Sequence, residues 1–196
     1  GTASFDPGVS GNGEITVIYT YTDANGCINS SSQTTQVGTP LTLTGLDPKY
    51  CYDAATATAV ATPSGGAYTV LAGLTDNGDG TADFDPSAAG AGTYTIEYTY
   101  NDGTCDNSID QLVEVVALPT PAISGLAAAY CKNDAADVLT GNYAPSGSFS
   151  GPGITDNADG TASFDPSTLL VGGPYTITYS YTNADGCSAA ATDQTN

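Results

Sequence analysis

Alternating polar and apolar positions in residues 93–100 give the clearest structural signal in the chain. Threonine and glutamate hold one set of positions, and the other set is Tyr94, Ile96, Tyr98 and Tyr100. Successive side chains of a β-strand point to opposite faces of the sheet, so this period of two predicts a strand with one buried face. The same alternation recurs at residues 14–21 and 174–181, which predict equivalent strands.

Shorter runs rich in threonine, valine, alanine and leucine predict the other strands of the middle of the chain. They are residues 41–45, 56–62, 67–75, 81–84 and 111–118. Glycine and proline separate these runs, and none has the period of an amphipathic helix. Phe84 and its counterpart Phe164 are expected to anchor one strand in the core. The pattern predicts an all-β sandwich.

Internal repetition sets the predicted domain organisation. The segment GTASFDP at 1–7 returns as GTADFDP at 80–86 and as GTASFDP at 160–166. A tyrosine-rich strand and then a cysteine follow each copy, and a Tyr-Cys pair recurs at 50–51 and 130–131. A period of about 80 residues is too long for a solenoid turn and predicts tandem immunoglobulin-like β-sandwich repeats.

The phase of the repeat predicts three domains. Residues 1–40 are the C-terminal half of one repeat, residues 41–120 are a complete repeat, and residues 121–196 are a nearly complete one. Prolines mark the junctions, and short linkers of this kind favour a semi-rigid arrangement. Because both ends fall inside predicted elements of the repeat, we expect the chain to be an excerpt of a longer molecule.

The five cysteines predict one disulfide in each repeat. Cys51 and Cys105 occupy the repeat positions of Cys131 and Cys187, so the predicted bridges are Cys51–Cys105 and Cys131–Cys187. Cys27 corresponds to Cys105, and its expected partner lies upstream of residue 1. Each bridge would stabilise its repeat by about 4 kcal/mol in the chain-entropy model. Such bonds persist in oxidising compartments, so we expect an extracellular or cell-surface location.

The composition mainly excludes classes of function. The formal charge is −19, from 21 acidic residues against Lys49 and Lys132. Two isolated lysines cannot follow a phosphate backbone, so nucleic-acid binding is not expected. No segment has the roughly 20 apolar residues of a membrane span. Without histidine no Ser-His-Asp arrangement can form, and the acids recur with the repeat as structural residues do, so we expect no enzyme activity.

An acidic turn recurs at residues 76–80 and 156–160, and a further aspartate follows each copy. Asp and Asn side chains start turns by bonding to nearby backbone, and Gly supplies positive φ, which predicts a hairpin. The rival interpretation is a calcium site, because Ca²⁺ prefers oxygen ligands. Its candidate ligands are Asp76, Asp79, Asp85, Asp156, Asp159 and Asp165.

Residues 76–105, with the run DNGDGT followed by FDPS, GTYTIEYTY and a cysteine, resemble the repeats of very large surface proteins of Bacteroidota. Within these the resemblance is greatest to SprB-type gliding-motility adhesins, and the turn is also similar to that of filamin-type domains. The resemblance implies type IX secretion and display as a long filament associated with the outer membrane. It also implies surface motility or secretion machinery as partners, and adhesion to a substratum or polysaccharide.

Three functions remain open at this point. The first is the structural shaft of a long cell-surface adhesin filament, serving gliding motility or attachment. The second is an array of carbohydrate-binding modules, motivated by the tyrosine ladder and the acidic turns, since exposed tyrosines stack on sugars. The third is a set of accessory repeats in a large secreted enzyme.

Overall fold

The computed structural model describes residues 2–103 and 105–196, and almost all of its regular structure is β-strand. Internal contacts divide the chain into two compact units. The first comprises Gly1–Tyr50 and Ala54–Val115, and the second comprises Cys51–Asp53 and Val116–Asn196. The predicted repeat boundaries at 40/41 and 120/121 rest on sequence periodicity and stay predictions.

The first unit is built from short strands and two one-turn helices. The strands are β1 (Gly13–Thr22), β2 (Ile28–Val37), β3 (Thr42–Thr44), β4 (Lys49–Cys51), β5 (Ala57–Thr62), β6 (Ala67–Tyr68), β7 (Leu74–Asp76), β8 (Thr81–Phe84), β9 (Gly92–Asn101) and β10 (Asp106–Val116). The helices are α1 (Pro7–Ser10) and α2 (Pro86–Ala89). Each helix begins with proline directly after an aspartate cap, an arrangement that fixes φ and satisfies free backbone N–H groups.

Two four-stranded sheets enclose the core of the first unit. Their strand orders are β3-β5-β8-β7 and β4-β10-β9-β6, the arrangement of an immunoglobulin sandwich. The alternation predicted for 93–100 is confirmed, because Ile96 and Tyr98 are fully buried. Phe84 faces them from the opposite sheet, also fully buried, as predicted. β1 and β2 pair with each other as a separate antiparallel hairpin.

The second unit repeats this plan. Its strands are β11 (Ile123–Ser124), β12 (Asp137–Gly141), β13 (Ser148–Ser150), β14 (Ile154–Asp156), β15 (Thr161–Phe164), β16 (Tyr175–Thr182) and β17 (Ser188–Thr195). A 3₁₀ turn covers Pro166–Thr168. The sheets have the orders β11-β12-β15-β14 and β13-β16-β17, and Phe164, Ile177 and Tyr179 are buried in the core.

A tyrosine near the start of β9 and another at the start of β16 close the corner before the strand. The Tyr94 hydroxyl donates to the carbonyl oxygens of Ala89 and Gly90, the latter at 3.1 Å. The Tyr175 hydroxyl donates to the Leu170 carbonyl oxygen at 2.6 Å. This tyrosine corner is a feature of immunoglobulin-like sandwiches. The chain is therefore an all-β protein of tandem immunoglobulin-like sandwiches.

Two strand predictions need adjustment. Residues 67–75 form two short strands, β6 and β7, because Val70 is 93% exposed and Gly73 turns the backbone at φ +75°. A Cβ on Gly73 would lie 2.5 Å from the Asp85 carbonyl oxygen, so the turn admits only glycine. Strand β4 was not predicted, since three residues cannot display a period. It runs beside β10 and carries Cys51.

Burial gives Tyr68 an unusual titration. Removal of its hydroxyl from water, with Tyr98 and Asp76 nearby, raises the pKa of Tyr68 to about 12. The raised pKa means that Tyr68 stabilises the fold fully below pH 10, and that this contribution is lost as pH rises toward 12. Burial also raises the pKa of Tyr130 and of Tyr179. We expect ultraviolet titration to show a late tyrosine component, and Tyr68→Phe should reduce it by one tyrosine. Substitution of the exposed Tyr21 by Phe should leave the late component, and loss of it there would contradict the assignment.

Candidate functional site

The cysteines pair differently from the prediction. The structure joins Cys51 to Cys187, with an S–S distance of 2.03 Å and Cα atoms 5.5 Å apart. The predicted bridges Cys51–Cys105 and Cys131–Cys187 are therefore not formed. Cys27, Cys105 and Cys131 are free thiols. The bridge links a cysteine of the predicted repeat 41–120 to one of the predicted repeat 121–196.

Strand geometry explains why Cys51 does not reach Cys105. The Tyr52 N–H donates to the Val116 carbonyl oxygen at 2.9 Å, which places Cys51 beside the last residues of β10. Cys105 directly precedes the first residue of that strand. With 11 residues in β10 and about 3.3 Å per residue, the two cysteines lie about 35 Å apart. Disulfides require Cα atoms within about 7 Å.

The same geometry separates Cys131 from Cys187. The Tyr130 N–H donates to the carbonyl oxygen of Asn196 at 2.9 Å, so Cys131 lies at the end of β17. Cys187 directly precedes the start of that strand, which is 8 residues long. The two cysteines of one repeat therefore lie at opposite ends of a long strand, and equal spacing along the sequence did not indicate a bond between them.

Both members of the observed bridge belong to the second unit. Contacts place Cys51–Asp53 with Val116–Asn196. The second unit thus contains eight residues, 51–53 and 116–120, that the sequence periodicity assigns to the preceding repeat. Cys187 is 1% exposed within it. No local pattern in the sequence could have indicated this pairing, because the bonded residues are 136 positions apart.

The acidic turns are hairpins held by their own side chains. In the first, the Gly78 N–H donates to Asp76 Oδ1 at 2.8 Å, and the hydroxyl and N–H of Thr81 donate to Asp79 Oδ1 at 2.6 and 2.9 Å. These bonds from Thr81 lower the pKa of Asp79 from its ordinary value. The second turn repeats them, with Thr161 donating to Asp159 and the Ala158 N–H donating to Asp156. The predicted hairpin is therefore observed twice.

The two remaining calcium candidates cap the short helical turns. Asp85 accepts from the N–H of Ser87 at 2.9 Å and from its hydroxyl at 2.7 Å, and the hydroxyl bond is the main reason that the pKa of Asp85 is lowered. Asp165 accepts from the Ser167 N–H at 2.9 Å. Both aspartates lie at the far end of β8 or β15 from the acidic turn. Over residues 2–103 and 105–196, no three His, Cys, Asp or Glu residues are grouped to hold a metal ion.

In the two sandwiches the tyrosine ladder lies mainly in the core, whereas Tyr19 and Tyr21 of β1 are exposed. Tyr98 and Tyr179 are fully buried, and the Tyr98 hydroxyl donates to the Pro63 carbonyl oxygen at 2.8 Å. Tyr143 and Tyr181 stack on each other with ring centroids 4.0 Å apart and planes 2° from parallel. These rings are used in packing, and sugar stacking needs exposed ring faces.

Searches of protein-family models and of curated protein sequences find no match to the chain. Solved structures with similar coordinates include a Ca²⁺-stabilised adhesin that helps an Antarctic bacterium bind ice, at 14% identity and a TM-score of 0.43, covering 94% of this chain. Bacterial invasin, an integrin-binding protein, is 16% identical with a TM-score of 0.31, and the match covers 94% of this chain. Extracellular domains 3–5 of Drosophila OTK are 15% identical with a TM-score of 0.36, and the match covers 86% of this chain.

The chain spans 56% of the first of these structures, 53% of invasin and 65% of the OTK domains. At such identities and TM-scores the likenesses carry no argument about what this chain binds. In the part of the chain that the structure describes, no helix is long and apolar enough to cross a membrane.

The acidic turns differ at one position, and the difference yields a matched pair of variants. Gly78 has φ +75°, and its counterpart Ala158 has φ +59°, the one positive φ among the described residues that are not glycine. Left-handed backbone costs an L-residue about 1–2 kcal/mol, partly offset by the extra freedom of glycine in the unfolded chain. A Cβ on Gly78 meets no atom within 4 Å. We expect Gly78→Ala to destabilise and Ala158→Gly to stabilise, each by about 1 kcal/mol.

Chemical denaturation measures both changes in the free energy of unfolding. Thr75→Ala, at an exposed position just before the first turn, serves as a control for substitution of the hairpin. Changes of the same sign in the two glycine–alanine variants would contradict the strain argument.

Calcium should leave the acidic turns unaffected, since their carboxylates already accept backbone and hydroxyl hydrogen bonds. We expect Asp79→Ala to lower the Tm by a few degrees, because Thr81 loses both bonds to Asp79. EDTA or added Ca²⁺ should leave the Tm of the wild type and the variant unchanged in calorimetry. A Tm of the wild type that rises with Ca²⁺, and no longer does so in Asp79→Ala, would restore the calcium interpretation.

Proposed function

We propose that the chain is part of the structural shaft of a long adhesin at the cell surface. The observation that carries the proposal is the disulfide Cys51–Cys187, which joins a cysteine of one sequence repeat to a cysteine of the next. A covalent tie of this kind limits how far the chain can extend under tension. It therefore favours a mechanical role.

Repetition of the same plan supports the proposal. Both units contain an immunoglobulin-like sandwich with a tyrosine corner, an acidic hairpin turn and an aspartate-capped helical turn. A binding or catalytic constellation is commonly found once in a chain, whereas residues that maintain a fold recur with it. The features that recur here are hydrogen bonds and core contacts, as expected for structural repeats.

Charge and cysteine chemistry support a place outside the cell. The net charge of −19 keeps an extended surface soluble and repels other acidic chains. Disulfides persist in extracellular and periplasmic compartments and are rare in reducing ones. By resemblance to SprB-type repeats, the finer proposal is a filament exported by type IX secretion that serves gliding motility or attachment to a substratum or polysaccharide.

The burial of the tyrosine ladder argues against an array of carbohydrate-binding modules. In the two sandwiches the central ladder residues Tyr98 and Tyr179 have no exposed surface for a sugar. Glycan-array binding by the oxidised chain would favour that second function, and absence of binding is expected with and without Ca²⁺.

Force spectroscopy tests the shaft directly. With the chain held at both termini through ligase tags, the bridge should exclude residues 51–187 from extension, because the Cα atoms of Cys51 and Cys187 stay 5.5 Å apart. Full unfolding with reductant should then release more length than unfolding without it. Over a sequence separation of 136 residues the difference should be about 450–490 Å.

The double variant Cys51→Ser, Cys187→Ser supplies the matched control, and it should extend fully with or without reductant. The free cysteines Cys27, Cys105 and Cys131 are alkylated beforehand so that no other bond forms during pulling. Equal extension of the wild-type chain under both conditions would contradict a shaft function for the bridge.

A further inference from the structure

The cysteines fall into two structural classes. Entry cysteines, Cys51 and Cys131, each follow a tyrosine near the start of a repeat. The Tyr50 hydroxyl accepts from the Asp47 N–H at 2.7 Å, and the Tyr130 hydroxyl accepts from the Ala127 N–H at 2.9 Å. The segment that precedes each entry cysteine, here called the entry segment, also accepts one equivalent bond from the end of its repeat. The Glu114 N–H donates to the Pro48 carbonyl oxygen at 3.0 Å, and the Asn196 N–H donates to the Ala128 carbonyl oxygen at 3.2 Å. The residues that precede the two entry cysteines therefore make the same contacts.

Tip cysteines, namely Cys27, Cys105 and Cys187, end the turn of a long hairpin. In every case an Asp or Asn side chain a few residues upstream accepts from the cysteine N–H, and the N–H of that residue donates to the cysteine carbonyl oxygen. The acceptors are Asp23, Asp102 and Asn183, at 2.8, 2.8 and 2.9 Å from the respective cysteine nitrogens. The return bonds measure 2.9, 3.3 and 3.0 Å in the same order. The turn thus fixes each tip cysteine before any bridge forms.

The one disulfide of the structure joins an entry cysteine to the tip cysteine of the following repeat. Within a repeat the two classes are about 30–35 Å apart along the closing strand, which excludes a bond between them. The bonded pair Cys51–Cys187 therefore shows which partner an entry cysteine takes. Cys131 follows the same tyrosine contact as Cys51, although it lies outside a strand and its N–H donates to Asp134 Oδ2 at 2.7 Å. It is exposed and is not bonded in this chain.

We propose that Cys131 is a disulfide-forming site whose partner is the tip cysteine of a repeat that follows residue 196. Cys105 is the corresponding site for the entry cysteine of the repeat whose C-terminal half is residues 1–40. The bridges then form an overlapping series, in which each bridge joins the entry cysteine of one repeat to the tip cysteine of the following repeat. The proposal rests on the proposed function only in treating the chain as part of a longer array of repeats.

Bridge formation needs an oxidant, and a small disulfide such as oxidised glutathione supplies it. The Cys131 thiolate attacks one sulfur of the small disulfide, forms a mixed disulfide and releases one thiol. The thiolate of the tip cysteine then attacks the Cys131 sulfur and releases the second thiol. Two protein thiols lose two protons and two electrons, and the small disulfide takes up both.

A longer chain tests the proposal. Asn196 and Glu114 make the same backbone bond to the entry segment, so a second copy of residues 115–196 attached directly after Asn196 continues the repeat in register. After refolding with oxidised and reduced glutathione, peptide mapping by mass spectrometry should find Cys51–Cys187 and a new bridge from Cys131 to Cys187 of the added copy. Alkylation should then label three cysteines and not five.

Two variants sharpen the result. Cys131→Ser should leave the tip cysteine of the added copy open to alkylation while Cys51–Cys187 still forms. Cys105→Ser should leave both bridges unchanged. The Cys51–Cys187 bridge in the same molecule reports that folding and oxidation have occurred. A reduced Cys131 in such molecules, or a bridge between the two cysteines of the added copy, would overturn the proposal.

Failure of the new bridge would not affect the shaft function. The length difference in force spectroscopy depends on Cys51–Cys187 alone, so it would remain if the new bridge did not form. Absence of Cys51–Cys187 itself would count against both proposals.

Discussion

The antiparallel pairing of β9 with β10, and of β16 with β17, is the interaction on which the rest of each sandwich depends. Its register sets Tyr98 opposite Ile109 and Tyr179 opposite Ala191. Because side chains alternate along a strand, this one register sends Tyr98 and Tyr179 into the core and their threonine neighbours to the outside. The strand must remain long for the corner tyrosine at its start and the turn at its end to reach their partners.

The length of that pairing also decides the cysteine chemistry. A tip cysteine lies where the hairpin turns, and an entry cysteine lies where the closing strand ends, so a full strand separates them. Disulfide stabilisation in the chain-entropy model grows with the length of the closed loop, which makes the observed bridge at least as stabilising as a bridge within one repeat. Strand geometry excludes the shorter loop that a bridge within one repeat would close. Chain entropy does not disfavour the longer loop that Cys51–Cys187 closes.

Local patterns predicted what local physics controls. The period of two at 93–100, the burial of Phe84 and Phe164 and the acidic hairpins follow from side-chain alternation and turn chemistry, and the structure has all of them. The errors arose where tertiary position decides. The entry strand β4 is too short to show a period, so its pairing with the far end of β10 could not be seen in the sequence. Pairing Cys51 with Cys105 assumed that equal sequence spacing means spatial proximity, and a rigid strand invalidates that assumption.

Overlap between successive bridges has a mechanical consequence for an array of such repeats. Tension that reaches an entry cysteine passes through its disulfide to the tip cysteine of the next repeat, and most of the intervening backbone carries no load. The backbone then carries the load only from a tip cysteine to the entry cysteine of the following repeat. Residues 27–51 and 105–131 are the two such stretches in this chain, and they include β2, β3, β4, β10 and β11. Bridges confined to single repeats would leave every linker in the loaded path, whereas overlapping bridges bypass alternate linkers, so a shaft gains resistance to extension from the arrangement that strand length imposes.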